Sequence, residues 1–439
     1  MAKKKELTEE ERLEKALVPE SEWPYELPEG WKWVRLEDIN SFTGKSIEPS
    51  KFPDEEFELY SVPSYDEDFP EILRGKEIGS SKKEVEKNDI LLCKINPRIN
   101  RVWIVTKYTE HRLIASSEWI HIRSKVLIPN YLMWYFRSGM FREFMLSNVS
   151  GVGGSLMRAQ PKMVNKYVVP IAPIEKQLEI VKQIESLFSK LEEAKEKVES
   201  VLESSENRKS AILHKAFTGE LTKKWREENG EILASSKRLI DPKDLLDKDQ
   251  EPYKIPDSWS WSTLDQVADI IMGQSPAGKD TTEDSCFTPL IGGAADMGEL
   301  YPAITRYTKS PKKVSKEGDL ILSIRATLGR PIYSDGEYCL GRGVAAIRSA
   351  NISKELFRFF FLAFEKYLYK NSTGSTFSQI SGTILKKMPF PLMPFDEQRI
   401  IIESLESLLE REQLVAVHSE AMIRKIEQIK RLVLVQAFR

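Results

Sequence analysis

Three short stretches hold reactive residue types near spacings that chemistry uses, and each is incomplete. Gly44-Lys45-Ser46 matches the end of a loop whose backbone N–H groups and lysine cradle phosphates, but Ile39 stands where the first glycine is required. Asn96-Pro97-Arg98-Ile99 resembles the Asn-Pro-Pro-aromatic motif of amino-methyltransferases without its second proline or its aromatic. Gly151-Val152-Gly153-Gly154 follows a helical pattern, whereas a dinucleotide fingerprint must follow a strand and open a helix. Gly-x-Ser-x-Gly and His-Glu-x-x-His do not occur. The 4 histidines and 3 cysteines share no metal-ligand spacing. We therefore expect no catalytic residue, no metal site and no cofactor site in this chain.

The charge pattern points to a different chemistry. Net charge is only −2, yet residues 1–87 carry 14 Lys/Arg against 23 Asp/Glu and residues 88–170 carry 12 against 4. Residues 318–391 carry 10 against 5. Such local positive fields steer polyanions. Guanidinium and amide groups on loops read base edges, while lysines and hydroxyls mostly hold phosphates. The DNA-contacting candidates in the first basic stretch and the loop after it are Lys94, Arg98, Asn100, Arg101, Ser155, Arg158, Gln160 and Lys162. In the second half they are Gln274, Lys312, Lys313, Arg325, Arg330, Arg342, Ser375, Thr376 and Gln379.

The elements that position these residues occur twice. Pro24-Tyr25 through Trp31-Lys32-Trp33 returns 228 residues later as Pro252-Tyr253 through Trp259-Ser260-Trp261. Pro173-Ile174-Glu175-Lys176-Gln177 returns 221 residues on as Pro394-Phe395-Asp396-Glu397-Gln398, and that offset holds to Ala216-Phe217 and Ala437-Phe438. A period this long means duplicated domains. Asn88–Ile95 and Gly318–Arg325 read as one buried strand in two copies, as do Glu118–Ser124 and Val344–Ser349. Helices rich in aromatics follow at Tyr131–Phe136 and Leu356–Phe361; their rings belong to cores, being clustered rather than interleaved with basic residues.

Two long helices close the copies. Leu187, Leu191, Ala194, Val198, Val201, Ser205, Arg208 and Ile212 step by four and three, as do Leu408, Glu412, Val415, Ser419, Met422, Ile426, Ile429 and Val433. The first seam is apolar early and polar late, the second the reverse, so antiparallel packing matches like with like. The 43 residues from Glu175 to Phe217 make a rod of about 65 Å. The expected fold is therefore α/β (α+β): two similar modules related by a pseudo-two-fold axis and bridged by an antiparallel coiled coil. The expected boundaries are an N-terminal helical segment (1–22), the first module (23–173), the first long helix (174–218), a linker (219–250), the second module (251–394) and the second long helix (395–439).

Composition agrees with a globular chain, at 41% hydrophobic and 30% charged residues. No apolar run reaches membrane-spanning length, the N-terminus carries no signal-peptide pattern, and scattered cysteines suit a reducing compartment, so a cytoplasmic location is expected.

The duplicated pattern resembles the specificity (S) subunit of type I restriction–modification systems. The residues that carry this resemblance are Pro24-Tyr25 through Trp31 and its copy, Gly374-Ser375-Thr376, Pro391 through Glu397-Gln398, and Lys215-Ala216-Phe217-Thr218-Gly219-Glu220-Leu221. It implies a non-catalytic reader of bipartite, asymmetric double-stranded DNA, each module a target-recognition domain for one half-site. It also implies two methyltransferase subunits docked on the long helices and restriction/translocase subunits in the larger complex, with S-adenosylmethionine, ATP and Mg²⁺ on those partners. The Gly-Glu-Leu tail of copy one has no counterpart after Arg439, although Glu6-Leu7-Thr8 echoes Glu220-Leu221-Thr222. Two other readings of the residues stay open: a coiled-coil scaffold, and a DNA methyltransferase fused to recognition domains.

Overall fold

The computed structural model describes residues 9–147, 149–150, 157–231, 241–374 and 378–439. The chain divides into two units: Met1–Glu199 with Glu420–Arg439, and Ser200–Ser419. Each unit is thus one module plus parts of both long helices.

In the first unit the strand Ile90–Cys93 lies between Val102–Ile104 and Trp119–Ile122, antiparallel to both. A five-stranded sheet lies before and beside it in sequence, with Glu56–Tyr60 parallel to Arg112–Ser116 and antiparallel to Glu71–Arg74. In the second unit Leu320–Arg325 takes the same central place between Val344–Arg348 and Thr327–Tyr333. Both central strands follow a left-handed residue, Asn88 (φ 73°) or Gly318 (φ 90°), and then a buried aspartate. Asp89 receives Arg123 through two bonds of 2.6 Å, and Asp319 receives Arg348 through two of 2.7 Å. Each aspartate is 1% exposed. Those bonds hold both guanidinium pKa values above the arginine norm. Removing one partner from such a pair leaves a buried charge uncompensated, which costs about 3–5 kcal/mol.

The repeated entry segments have one job in both copies. Trp33 Nε1 donates to the Tyr25 carbonyl, and Trp261 Nε1 to that of Tyr253. Lys32–Arg35 pairs with Val168–Ile171, and Ser260–Thr263 with Pro389–Leu392. Each module is therefore sewn shut where its long helix departs. Gln177 and Gln398 secure that departure by donating to the carbonyls of Ala172 and Met393.

Each core is completed by the other copy's helix. Phe438 is 0% exposed in the first unit, edge-on to Tyr131 and Tyr135 at 5.2 and 5.3 Å, and its carbonyl accepts from Tyr25 Oη. Phe217 occupies the corresponding place in the second unit, against Phe360 and Phe364, with its carbonyl accepting from Tyr253 Oη. The segment before each entry also has a counterpart: Leu17 bridges Val34, and Leu245 bridges Ser262, at the 228-residue offset of the entry motif. Residues near the N-terminus thus do for the first unit what the end of the linker does for the second. Glu6-Leu7-Thr8 itself lies outside the described residues.

The helices run antiparallel within each unit. Lys195 meets Glu427 and Lys430 meets Glu192 in the first; Arg208 meets Glu412 at 2.8 Å in the second. Two details differ from the sequence reading. The first helix is interrupted at Ser204, giving Ile174–Glu203 and Ser205–Phe217, while Phe395–Ala437 is continuous. Ser204 Oγ bonds back to the Ser200 and Val201 carbonyls, and Arg208 also reaches the Val201 carbonyl, a local competition that bends helices. Two of the eight positions of each seam are also displaced by one residue. Leu191, Val198, Ser205 and Ile212 face inward as expected, but Leu187 and Val201 are exposed while Phe188 and Leu202 turn in. Copy two shows the same shift, with Val415 and Met422 exposed and Ala416 and Ile423 turned in. Each helix packs against a module as well as its partner helix, and the wider contact rotates the buried stripe.

Candidate nucleic-acid interface

The end of each central strand is built alike. In the first unit, Asn96 N–H donates to the Met157 carbonyl and Ala159 N–H to that of Lys94. In the second, Ala326 N–H donates to Ser378 and Ile380 N–H to Ile324. The strand end and the loop after the aromatic helices therefore form one edge in both. Asn96 and Ala326 adopt left-handed backbone, φ 45° and 62°, which turns the chain away from the strand just past this edge. For alanine that conformation is strained, and such strain persists only where surrounding bonds impose it.

In the first unit this edge borders a cavity of about 520 Å³ lined by Lys94, Ser150, Arg158, Ala159, Gln160 and Lys162, among others. Four sequence candidates are thus brought together: Lys94, Arg158, Gln160 and Lys162. Arg98 is exposed on the neighbouring turn, and its carbonyl accepts from Arg142. Asn100 donates its amide to the Phe136 carbonyl, and Arg101 is mostly covered, 3.8 Å from Asp66. Those two are held by the fold rather than offered at the edge. Ser155 lies outside the described residues.

In the second unit Arg325 and Gln379 meet through a backbone bridge. Gln274 N–H donates to the Leu340 carbonyl, Leu340 N–H to that of Lys313, and Arg342 N–H to Ser275 Oγ. Ile324 N–H donates to Gly343, joining this group to Arg325. Glycine allows the crossing: a Cβ on Gly273 would stand 2.1 Å from the Gly341 carbonyl oxygen. Lys312 is exposed beside Lys313, and Arg330 is exposed on the adjoining strand, its N–H donating to Ser323 Oγ. Ser375 and Thr376 lie outside the described residues.

The sequence reading missed Glu118, which faces Arg158 at 3.1 Å and Lys94 at 3.7 Å. Its only sequence signal is that it is one of 4 acidic residues in the basic stretch 88–170. Arg123 and Arg348 contributed to the charge count but are committed to buried aspartates. A second cavity in the first unit, about 840 Å³, is lined by Trp134, Phe188 and Leu434 with Arg137, Arg142 and Arg431. Among the described residues no group of three His, Cys, Asp or Glu is placed to hold a metal ion, and no helix is long and apolar enough to cross a membrane.

Several known proteins resemble this chain in sequence or in fold. Residues 256–423 match the family described as type I restriction modification DNA specificity domain. The provisionally named type I restriction enzyme MjaX specificity subunit of Methanocaldococcus jannaschii is 25% identical, with 87% of this chain and 88% of that protein covered. The MjaVIII specificity subunit of the same organism is 24% identical, with 87% of each covered. Among solved structures, the HsdS subunit from Thermoanaerobacter tengcongensis aligns over 95% of this chain and 99% of its own at 23% identity, TM-score 0.67. A chain from a study of complex assembly and conformational transition of the type I R-M system covers the same shares at 22% identity, TM-score 0.75. The chain is thus similar over most of its length to specificity subunits of type I restriction–modification systems and shares the fold of solved HsdS chains, and residues 256–423 match their DNA specificity domain.

Proposed function

We propose that the chain reads a split, asymmetric duplex target, the edge at Lys94 and Arg158 contacting one half-site and the edge at Arg325, Gln379 and Arg342 the other. One observation carries this: the same backbone frame recurs in both units with different side chains on it. A shared frame suits a shared duplex geometry, and different donors suit different bases.

Partner recruitment is part of the same reading. Ile174 and Phe395, equivalent positions, are 50% and 67% exposed, and Val201 and Met422, also equivalent, are 39% and 52% exposed. Apolar groups of this size left in water at matching positions suit two copies of one partner. Two methyltransferase subunits on the long helices fit that requirement. Restriction/translocase subunits would join the larger complex, and S-adenosylmethionine, ATP and Mg²⁺ would be held by the partners, in the cytoplasm.

Selection from a randomised duplex library at fixed salt tests the reading. Arg158→Ala should alter only the first half-site and Arg325→Ala only the second. A bidentate contact to guanine is worth about 1–3 kcal/mol at one position, whereas a phosphate contact lowers affinity for all sequences and reduces the salt slope by about one. Unchanged affinity and unchanged selections in both variants would refute it.

A further inference from the structure

We infer that Glu118 is a specificity-determining residue of the first half-site, accepting a hydrogen bond from the exocyclic amino group of an adenine or cytosine in the major groove. The inference rests on the DNA-reading edge proposed above.

Its position is fixed by register. Lys94 N–H donates to the Glu118 carbonyl at 3.1 Å, just as Ile324 N–H donates to Gly343 at 2.9 Å. Cys93 pairs with Trp119, and Ser323 with Val344, so Glu118 and Gly343 occupy the same place on the two frames. The second unit has no side chain there; the first places a carboxylate.

That carboxylate sits among donors. Arg158 Nη1 reaches both its oxygens, at 3.1 and 3.3 Å, and Lys94 Nζ lies 3.7 Å away while also donating to the Ser117 carbonyl. Its side chain is nevertheless 28% exposed. Lysine and arginine only donate, so they suit phosphates or guanine O6 and N7; an amino group on a base edge needs an acceptor. Phosphates that draw Lys94 and Arg158 outward would leave this acceptor facing the groove. An ion-pair anchor alone would not need to be on the edge, nor to differ between two otherwise equivalent units.

The test uses the full-length chain and duplex selection at fixed salt, with Glu118→Ala and Glu118→Gln beside Lys94→Ala and Arg158→Ala. Glu118→Ala should reduce discrimination at one base pair of the first half-site by about ten- to hundredfold, leaving the second half-site unchanged. Glu118→Gln, which keeps one acceptor and adds a donor, should move preference at that same position toward adenine. If both Glu118 variants change affinity uniformly while the selected sequence stays the same, Glu118 only restrains its two cations and the inference fails. If they change nothing while Lys94→Ala and Arg158→Ala weaken binding, it fails with the DNA edge intact. If none of the four variants has an effect, the DNA-reading edge itself is wrong and the inference falls with it.

Discussion

Replacing Phe438 with alanine should destabilise the first unit selectively, although the residue lies 265 positions beyond Pro173, where the first module ends in sequence. Phe438 is 0% exposed and has two aromatic neighbours, Tyr131 and Tyr135, with ring centroids within 5.3 Å. Phenylalanine-to-alanine changes in cores cost about 3–5 kcal/mol, as lost transfer energy plus the cavity left behind. The Tyr25 bond goes to the Phe438 backbone carbonyl, so the substitution leaves that acceptor in place. At a urea m-value of about 2–3 kcal/mol/M, a loss near 4 kcal/mol moves the midpoint of this unit down by about 1.5 M. Phe217→Ala, with its partners Phe360 and Phe364, should act on the second unit instead. Urea titrations followed by hydrogen exchange of peptides from each unit would separate the two. A midpoint shift below about 0.5 M, or an equal loss of protection in both units, would refute the claim that each core is closed by the other copy's helix.

Burial pushes the imidazole of His121, which stacks on the Phe42 ring, down to about 4, with Lys83 and Lys94 adding to the effect. Between pH 6.5 and 4 the unfolded chain takes up a proton that the folded one refuses, so the histidine's share of stability falls as pH falls through that window, by about 3 kcal/mol in all. His121→Phe should remove that share of the acid sensitivity, read as a flatter midpoint-versus-pH curve than wild type; parallel curves would contradict it. If the exposed apolar pairs on the long helices bind two methyltransferase chains, the Ile174→Ser and Phe395→Ser variants should each lower occupancy to about one chain per reader in light scattering at limiting partner concentration. Full occupancy in both would place the docking surface elsewhere.

Much of the fold was legible because duplication makes a sequence its own comparison. The strand pair at 90–93 and 320–325 and the aromatic helices could be read from apolar runs that recur in order. The seam was mostly legible: a heptad count finds Leu191, Ala194, Val198, Ser205, Arg208 and Ile212, but cannot tell whether Leu187 or Phe188 shares their face when a module also packs against the helix. The candidate edge was legible in the same partial way. Residue type and loop position single out Lys94, Arg158, Gln160 and Lys162, which lie around one cavity. The same grounds single out Asn100 and Arg101, and only the fold shows them turned toward Phe136 and Asp66.

Composition, period and charge pattern by themselves determined that two similar modules alternate with two long helices and that each module concentrates positive charge in its later half. Those features are local or periodic, and a sequence displays them directly. Tertiary structure alone decided which helix end fills which core, which arginines are committed to Asp89 and Asp319, and that a carboxylate at Glu118 stands where the other unit has glycine. Each of these depends on residues distant in sequence meeting in space, and the free energy that selects such meetings belongs to the packed core, not to any segment of the chain.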